Sequence, residues 1–150
     1  DQDNRTFIKN AGAPVMHTGA AHGNLIGGNL STFALLQGTK YMPSDFDDIV
    51  LFVEDDSESS EDTFIRQLNG VLMQDFANKI RAVLVGRFQK ETNPDIKKIY
   101  QTIQNRMPNV PVIMDLDFGH TTPLLTIPTG AWCEINASDN NFEITISRKG

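Results

Sequence analysis

The chain has 150 residues, of which 39% are hydrophobic and 21% charged, and it carries a net charge of −6 with 13 Lys+Arg. That length fits one domain able to bury about two-thirds of its unfolded surface, and no apolar run approaches the ~20 residues that span a bilayer. Composition argues against a nucleic-acid partner, because affinity for phosphates needs clustered cations and these are scattered.

The opening "DQDNRTF" has neither an initiator methionine nor a leader, and it reads as an interior start of a longer protein. Residues 1–24 are polar and small, broken by Gly12, Pro14, Gly19 and Gly23, and are expected as a loop or short edge strands. His17 and His22 in this stretch read as solvent or turn histidines. After Gly27-Gly28, "NLSTFALLQG" places Leu30, Phe33 and Ala34 at helical spacing, with Asn29 as cap and Gly38 as stop.

"DIVLFVED", residues 48–55, is a run of apolar residues between charged ends, the pattern of a strand covered on both faces. "SESSED" then offers caps for a helix from about Glu61, with Phe64, Ile65, Leu68 and Leu72 as its stripe and a break expected at Asn69-Gly70. The acidic stretch from Glu54 to Asp62, its first residue excepted, reads as a solvated loop and helix start. "IRAVLVGRF", residues 80–88, is a second buried strand. "NPDIKKIYQTIQNRM" is the clearest helix, with Asn93 as cap, Pro94 in the first turn and Pro108 as terminator. "VPVIMDLDF" is a third strand, and "LLTI", "AWCEI" and "FEITIS" are short strands after the loop around His120. Alternating strands and helices followed by a run of strands define an α/β domain with mixed strand directions. Cys133, the single cysteine, reads as a buried inert thiol beside Trp132, which favours a reducing compartment.

Two residues stand where α/β sheets place working groups, at the carboxyl ends of strands: Glu54 after "IVLFV" and His120 after "PVIMDLDF". A histidine whose second ring nitrogen is held by a carboxylate is the base of a nucleophile-base-orienter system. The plainer readings are a solvated turn glutamate and a structural loop histidine. The Gly27-Gly28-Asn29 turn either brings backbone N–H groups to a substrate carboxylate or is a tight turn and cap. It lacks the following Lys and Ser/Thr of a phosphate loop. Asp115, Asp117 and His120 form an alternative divalent-metal site, although a transition metal needs further ligands.

The blocks "LIGGNLSTFALLQGTKYMP", "IVLFVEDDSESSEDTFIRQL", "AVLVGRF" and "VPVIMDLDFGHTTPLLTIPTGA", in this order, resemble the C-terminal domain of the LD-carboxypeptidase family of serine peptidases, which also contains the microcin C immunity peptidases. The match runs from about Gly23 to Ala131. The resemblance implies residues 1–22 as a linker or edge segment from a missing N-terminal domain and residues 23–150 as the C-terminal catalytic domain. It implies a swivelling β/β/α-type fold, with a mixed sheet or small closed barrel and two to three flanking helices. It further implies a Ser-His-Glu triad in which Glu54 orients and His120 is the base, while Gly27, Gly28 and Asn29 lie at the substrate cleft. The resemblance places the nucleophilic serine in the missing domain, and no Gly-x-Ser-x-Gly elbow exists here to replace it: Ser44 lies in a Pro-bounded loop and Ser31 inside the expected helix. The isolated chain is then expected to be inactive. No cofactor, a peptide or peptide-nucleotide substrate, a homodimer of the full-length protein and a cytoplasmic location complete what the family implies. A non-catalytic binding module of the same fold is the rival reading.

Overall fold

The computed structural model describes residues 12–43, 45–139 and 141–147. Ser44 and the first half of the expected linker lie outside them. In chain order the elements are β1 (Val15–His17), β2 (Gly19–Asn29), α1 (Leu30–Ala34), β3 (Ile49–Glu54), α2 (Glu61–Leu72), a 3₁₀ turn (Asp75–Lys79), β4 (Ile80–Gly86), α3 (Ile96–Arg106), β5 (Val112–Leu116), β6 (Trp132–Ser138) and β7 (Asn141–Ser147).

One seven-stranded sheet runs in the order β1-β5-β4-β3-β2-β6-β7. Strands β2 to β5 are parallel neighbours, whereas β1, β6 and β7 pair antiparallel. The sheet curls into a half-barrel with three helices, so of the two expected arrangements the mixed sheet is the one formed. Because β2, β3, β4 and β5 lie side by side in sequence order, right-handed crossovers deliver every connecting helix to the same face. All four parallel strands therefore point their carboxyl ends at one rim.

All six residues of β3 are buried, as its unbroken apolar run requires. Alternation divides them: Ile49, Leu51 and Val53 pack with Phe64 and Leu68 of α2 and Ile99 and Ile103 of α3. Val50 and Phe52 pack on the other face with Leu25, Leu84, Ile113, Phe118 and Ile135. Glu54, at the strand's end, is the first residue that chemistry rather than packing must account for.

Four local expectations give way to tertiary structure. Residues 15–17 form a short edge strand, as one of the two expectations has it, but residues 19–24 form the first half of an 11-residue inner strand rather than a loop or edge, since glycine there permits close backbone approach: a Cβ at Gly23 would sit 2.6 Å from the Asp48 carbonyl oxygen. Helix α2 runs unbroken through Asn69-Gly70, and Gly70 instead makes room for the Gln37 side chain. Asp95, not Asn93, caps α3 by accepting from the Lys97 N–H at 2.9 Å. The Asp95 N–H is itself held by Glu61 of α2 at 2.6 Å, which fixes the cap where the two helices meet. "LLTI" is irregular rather than a strand; Pro123 and Pro128 bracket it with positions that cannot donate to a ladder. No helix among the described residues is long and apolar enough to cross a membrane.

Candidate active site

Glu54 ends β3 with only 6% of its surface exposed, and a carboxylate so placed needs a partner or it costs several kcal/mol. Two glycines make its seat. A Cβ on Gly86, the last residue of β4, would lie 2.6 Å from the Phe118 carbonyl oxygen and 2.7 Å from Glu54 Cβ. Gly119 has φ +100°, a conformation side chains rarely adopt, and a Cβ there would fall on the Glu54 carboxylate. The "VGR" and "FGH" glycines thus bring three chain segments together around one carboxyl group.

The partner is His120, whose Nδ1 lies 2.7 Å from Glu54 Oε2 across 66 positions of sequence. An ionised carboxylate only accepts, so Nδ1–H donates and the neutral ring carries its lone pair on Nε2. The imidazole is 48% exposed while the Glu54 side chain is 8% exposed. The ring is therefore gripped from within and open on its outer side. Its hydrogen bond to Glu54 holds His120 above the ordinary imidazole value; the charges of Glu54, Asp56 and Asp55 add to this, and partial burial opposes it.

The Gly27-Gly28-Asn29 segment ends β2 on the same rim, with Asn29 in register with Glu54. Gly27 packs directly on the Phe52 carbonyl, whereas the space a Gly28 side chain would occupy is open to at least 4 Å. Asn29 Oδ1 accepts from the N–H and hydroxyl of Thr32, both at 3.1 Å, which caps α1 as the sequence predicts. Its Nδ2 donates to Asp55 Oδ1 at 3.0 Å. Asp55 is a residue that the sequence reading left in a solvated loop. It is 1% exposed and takes the Ser31 hydroxyl on both oxygens, at 2.7 and 2.8 Å, and the Asp56 N–H at 3.0 Å. Its only sequence signal is its place directly after the strand-end Glu54, and the pairing with Asn29 and Ser31 is tertiary.

The metal alternative does not assemble. Among the described residues no group of three or more His, Cys, Asp or Glu is placed to hold an ion. Asp117 is turned to the Arg87 guanidinium at 2.6 Å and His120 to Glu54. Burial raises the Asp115 carboxyl, with the Arg87 charge opposing it. The other histidines stand elsewhere: His17 meets the Tyr100 hydroxyl at 3.4 Å, and His22 lies 3.8 Å from Asp48 beside the Trp132 ring. Ser31 is committed to Asp55. Cys133 is a fully buried free thiol pushed up to about 11 by its burial.

The chain belongs to the LD-carboxypeptidase C-terminal domain family, whose model matches residues 22–135. It is similar to the crystal structure of an MccF-like protein from Bacillus anthracis, with 38% identity, a TM-score of 0.84, and coverage of 99% of this chain and 46% of that one. The crystal structure of muramoyltetrapeptide carboxypeptidase from Oxalobacter formigenes is 26% identical at a TM-score of 0.76, covering 90% of this chain and 48% of that one. The microcin C7 self-immunity protein MccF of Escherichia coli is 28% identical over 131 residues, 85% of this chain and 38% of that protein. The chain spans less than half the length of the curated relatives it matches.

Proposed function

We propose that this chain is the C-terminal half of a serine carboxypeptidase and supplies the base and its orienting carboxylate to a Ser-His-Glu triad. The observation that carries this reading is the 2.7 Å contact from His120 Nδ1 to a buried Glu54 with the other edge of the ring open. A serine hydroxyl from a domain outside this chain meets Nε2. As its oxygen attacks the scissile amide carbonyl, His120 takes the proton and becomes an imidazolium that Glu54 stabilises. His120 then returns the proton to the leaving amine. Water attacks the acyl-enzyme through the same base, and the serine is regenerated.

The substrate is an amide in an LD-linked cell-wall peptide or a microcin C-like peptide-nucleotide. Relatives of both kinds support both classes, a muramoyltetrapeptide carboxypeptidase and a microcin C7 self-immunity protein. The Gly27-Gly28-Asn29 end of β2 contacts the substrate, using the open space at Gly28 and the second amide proton of Asn29 beside the one given to Asp55.

The test uses the full-length protein and reads release of the terminal residue from LD-linked peptides and of the amine product from peptide-nucleotide analogues. Glu54→Gln and His120→Gln, each shown to fold, are expected to lower kcat by at least ~10³-fold, in line with loss of a triad member. Activity within twofold of the parent in both variants rejects the triad.

A further inference from the structure

We propose that Arg87 is a positioning residue for His120, its guanidinium clamping the bend by which the chain leaves β5 so that the imidazole lands on Glu54. The inference deepens the triad reading and rests on it. Its starting point is a geometric problem. Strand β5 ends at Leu116, and His120 lies four residues beyond, on a segment that turns out of the sheet. A base must be held to within about half an ångström to work.

At this bend the β4–β5 register shifts between Leu84 and Gly86, and Asp115 adopts φ +54°. A backbone thus turned loses regular ladder partners for its carbonyls, and such a conformation persists only where surrounding contacts enforce it. Arg87 provides those contacts from both its backbone and its side chain. Its N–H donates to the Leu116 carbonyl at 2.9 Å. Its Nη2 donates to the Asp115 carbonyl at 3.2 Å and to the Asp117 carboxylate at 2.6 Å. One planar group therefore holds the residues on both sides of Leu116.

The pair is mostly buried, with side chains 21% and 18% exposed, so its attraction is less screened than that of a surface pair. Beyond it, the Phe118 N–H returns to the Leu116 carbonyl at 2.8 Å and the Phe118 ring meets Phe52 edge-on at 5.9 Å. Gly119 and His120 follow directly. The clamp thus fixes the start of the short segment whose far end must reach Oε2. Both bonds leave from the single nitrogen Nη2, whose two protons diverge in the guanidinium plane, and a lysine ammonium, a point charge on a shorter stem, is expected to keep only part of this grip.

The experiment measures Arg87→Met, Arg87→Lys and Asp117→Asn in the full-length protein, by steady-state kinetics and by NMR titration of the His120 ring. Arg87→Met is expected to lower kcat roughly 10- to 100-fold with KM within about twofold, and to move His120 ionisation down toward the ordinary imidazole value as the Glu54 contact loosens. Arg87→Lys recovers part of the loss. Asp117→Asn reproduces part of it, since the Asp115 carbonyl contact remains, and Arg87→Met with Asp117→Asn is no worse than Arg87→Met alone, because the pair contact is already lost there. A role in folding alone would lower the yield of native protein without moving kcat per folded molecule or the His120 titration, and that result overturns the inference. If Arg87→Met does not fold, Arg87→Lys and Asp117→Asn decide by the same readouts. Glu54→Gln separates the two claims: its inactivity beside fully active Arg87 variants removes the clamp and leaves the triad. If Glu54→Gln stays active, the triad falls, and the His120 titration alone judges Arg87.

Discussion

Gly119→Ala tests the seat of Glu54 without touching either member of the pair. The added methyl meets two costs. The first is the backbone, since φ +100° at Gly119 is strained for alanine by about 1–3 kcal/mol. The second is displacement, because the new Cβ falls on the Glu54 carboxylate and lies 2.8 Å from its Cγ. Glu54 must retreat, and its bond to His120 lengthens or breaks. A hydrogen bond to a charged group contributes about 1.5–3 kcal/mol, and the half-exposed ring places this one at or below the lower end. Together these give a loss of about 3 kcal/mol, or a Tm fall of roughly 6–12 °C for a chain of this size. Differential scanning calorimetry of native and variant chains measures it, and NMR titration shows whether His120 loses its elevated ionisation. A Tm fall under about 2 °C with His120 titrating as in the native chain would refute the claim that Gly119 holds space for the carboxylate.

Glu54→Gln should bring His120 ionisation down, since the hydrogen bond to Glu54 is the chief cause of its elevation. A folded-state value raised above the unfolded one stabilises the protein fully below about pH 6.5, and that contribution is lost as pH rises through the folded value. The Tm gap between native chain and variant should therefore be wider at about pH 6 than at about pH 9; a gap that widens with pH has the wrong sign for this linkage. Cys133, buried and pushed up to about 11, should resist an aromatic disulfide reagent at about pH 8 until the chain unfolds. Rapid labelling of the native protein would contradict its burial.

The parallel half of the sheet is readable from sequence because "IVLFV" and "AVLVG" are apolar without interruption, and only two-sided burial calls for that. Glu54 stands out for the complementary reason, as a polar residue directly after such a run, and His120 as a histidine just beyond the third strand. β2 is hidden because its neighbours approach so closely that glycine and alanine replace the β-branched residues that normally announce a strand. The swap of Gly70 from helix breaker to packing surface depends on Gln37, and nothing near Gly70 in the chain announces it. Asp55 looks solvated in a run of acidic residues until Ser31 and Asn29 arrive from 24 and 26 positions away. Arg87 and Asp117, 30 positions apart, are likewise ordinary charges until the fold pairs them. Contacts of this kind are set by strand order and register, which local pattern does not encode.

The consecutive placement of β2, β3, β4 and β5 divides the molecule's tolerance for change. Turns that follow the strands gather around Glu54 and His120, while those that lead into β3, β4 and β5, such as the 3₁₀ turn Asp75–Lys79, open on the opposite rim. Lengthening or recoding that far rim leaves the imidazole's surroundings intact, so affinity tags, fluorophores or surface-charge redesign belong there. Exchanges meant to alter the proposed site belong on the near rim, where Asn29, Glu54 and His120 stand.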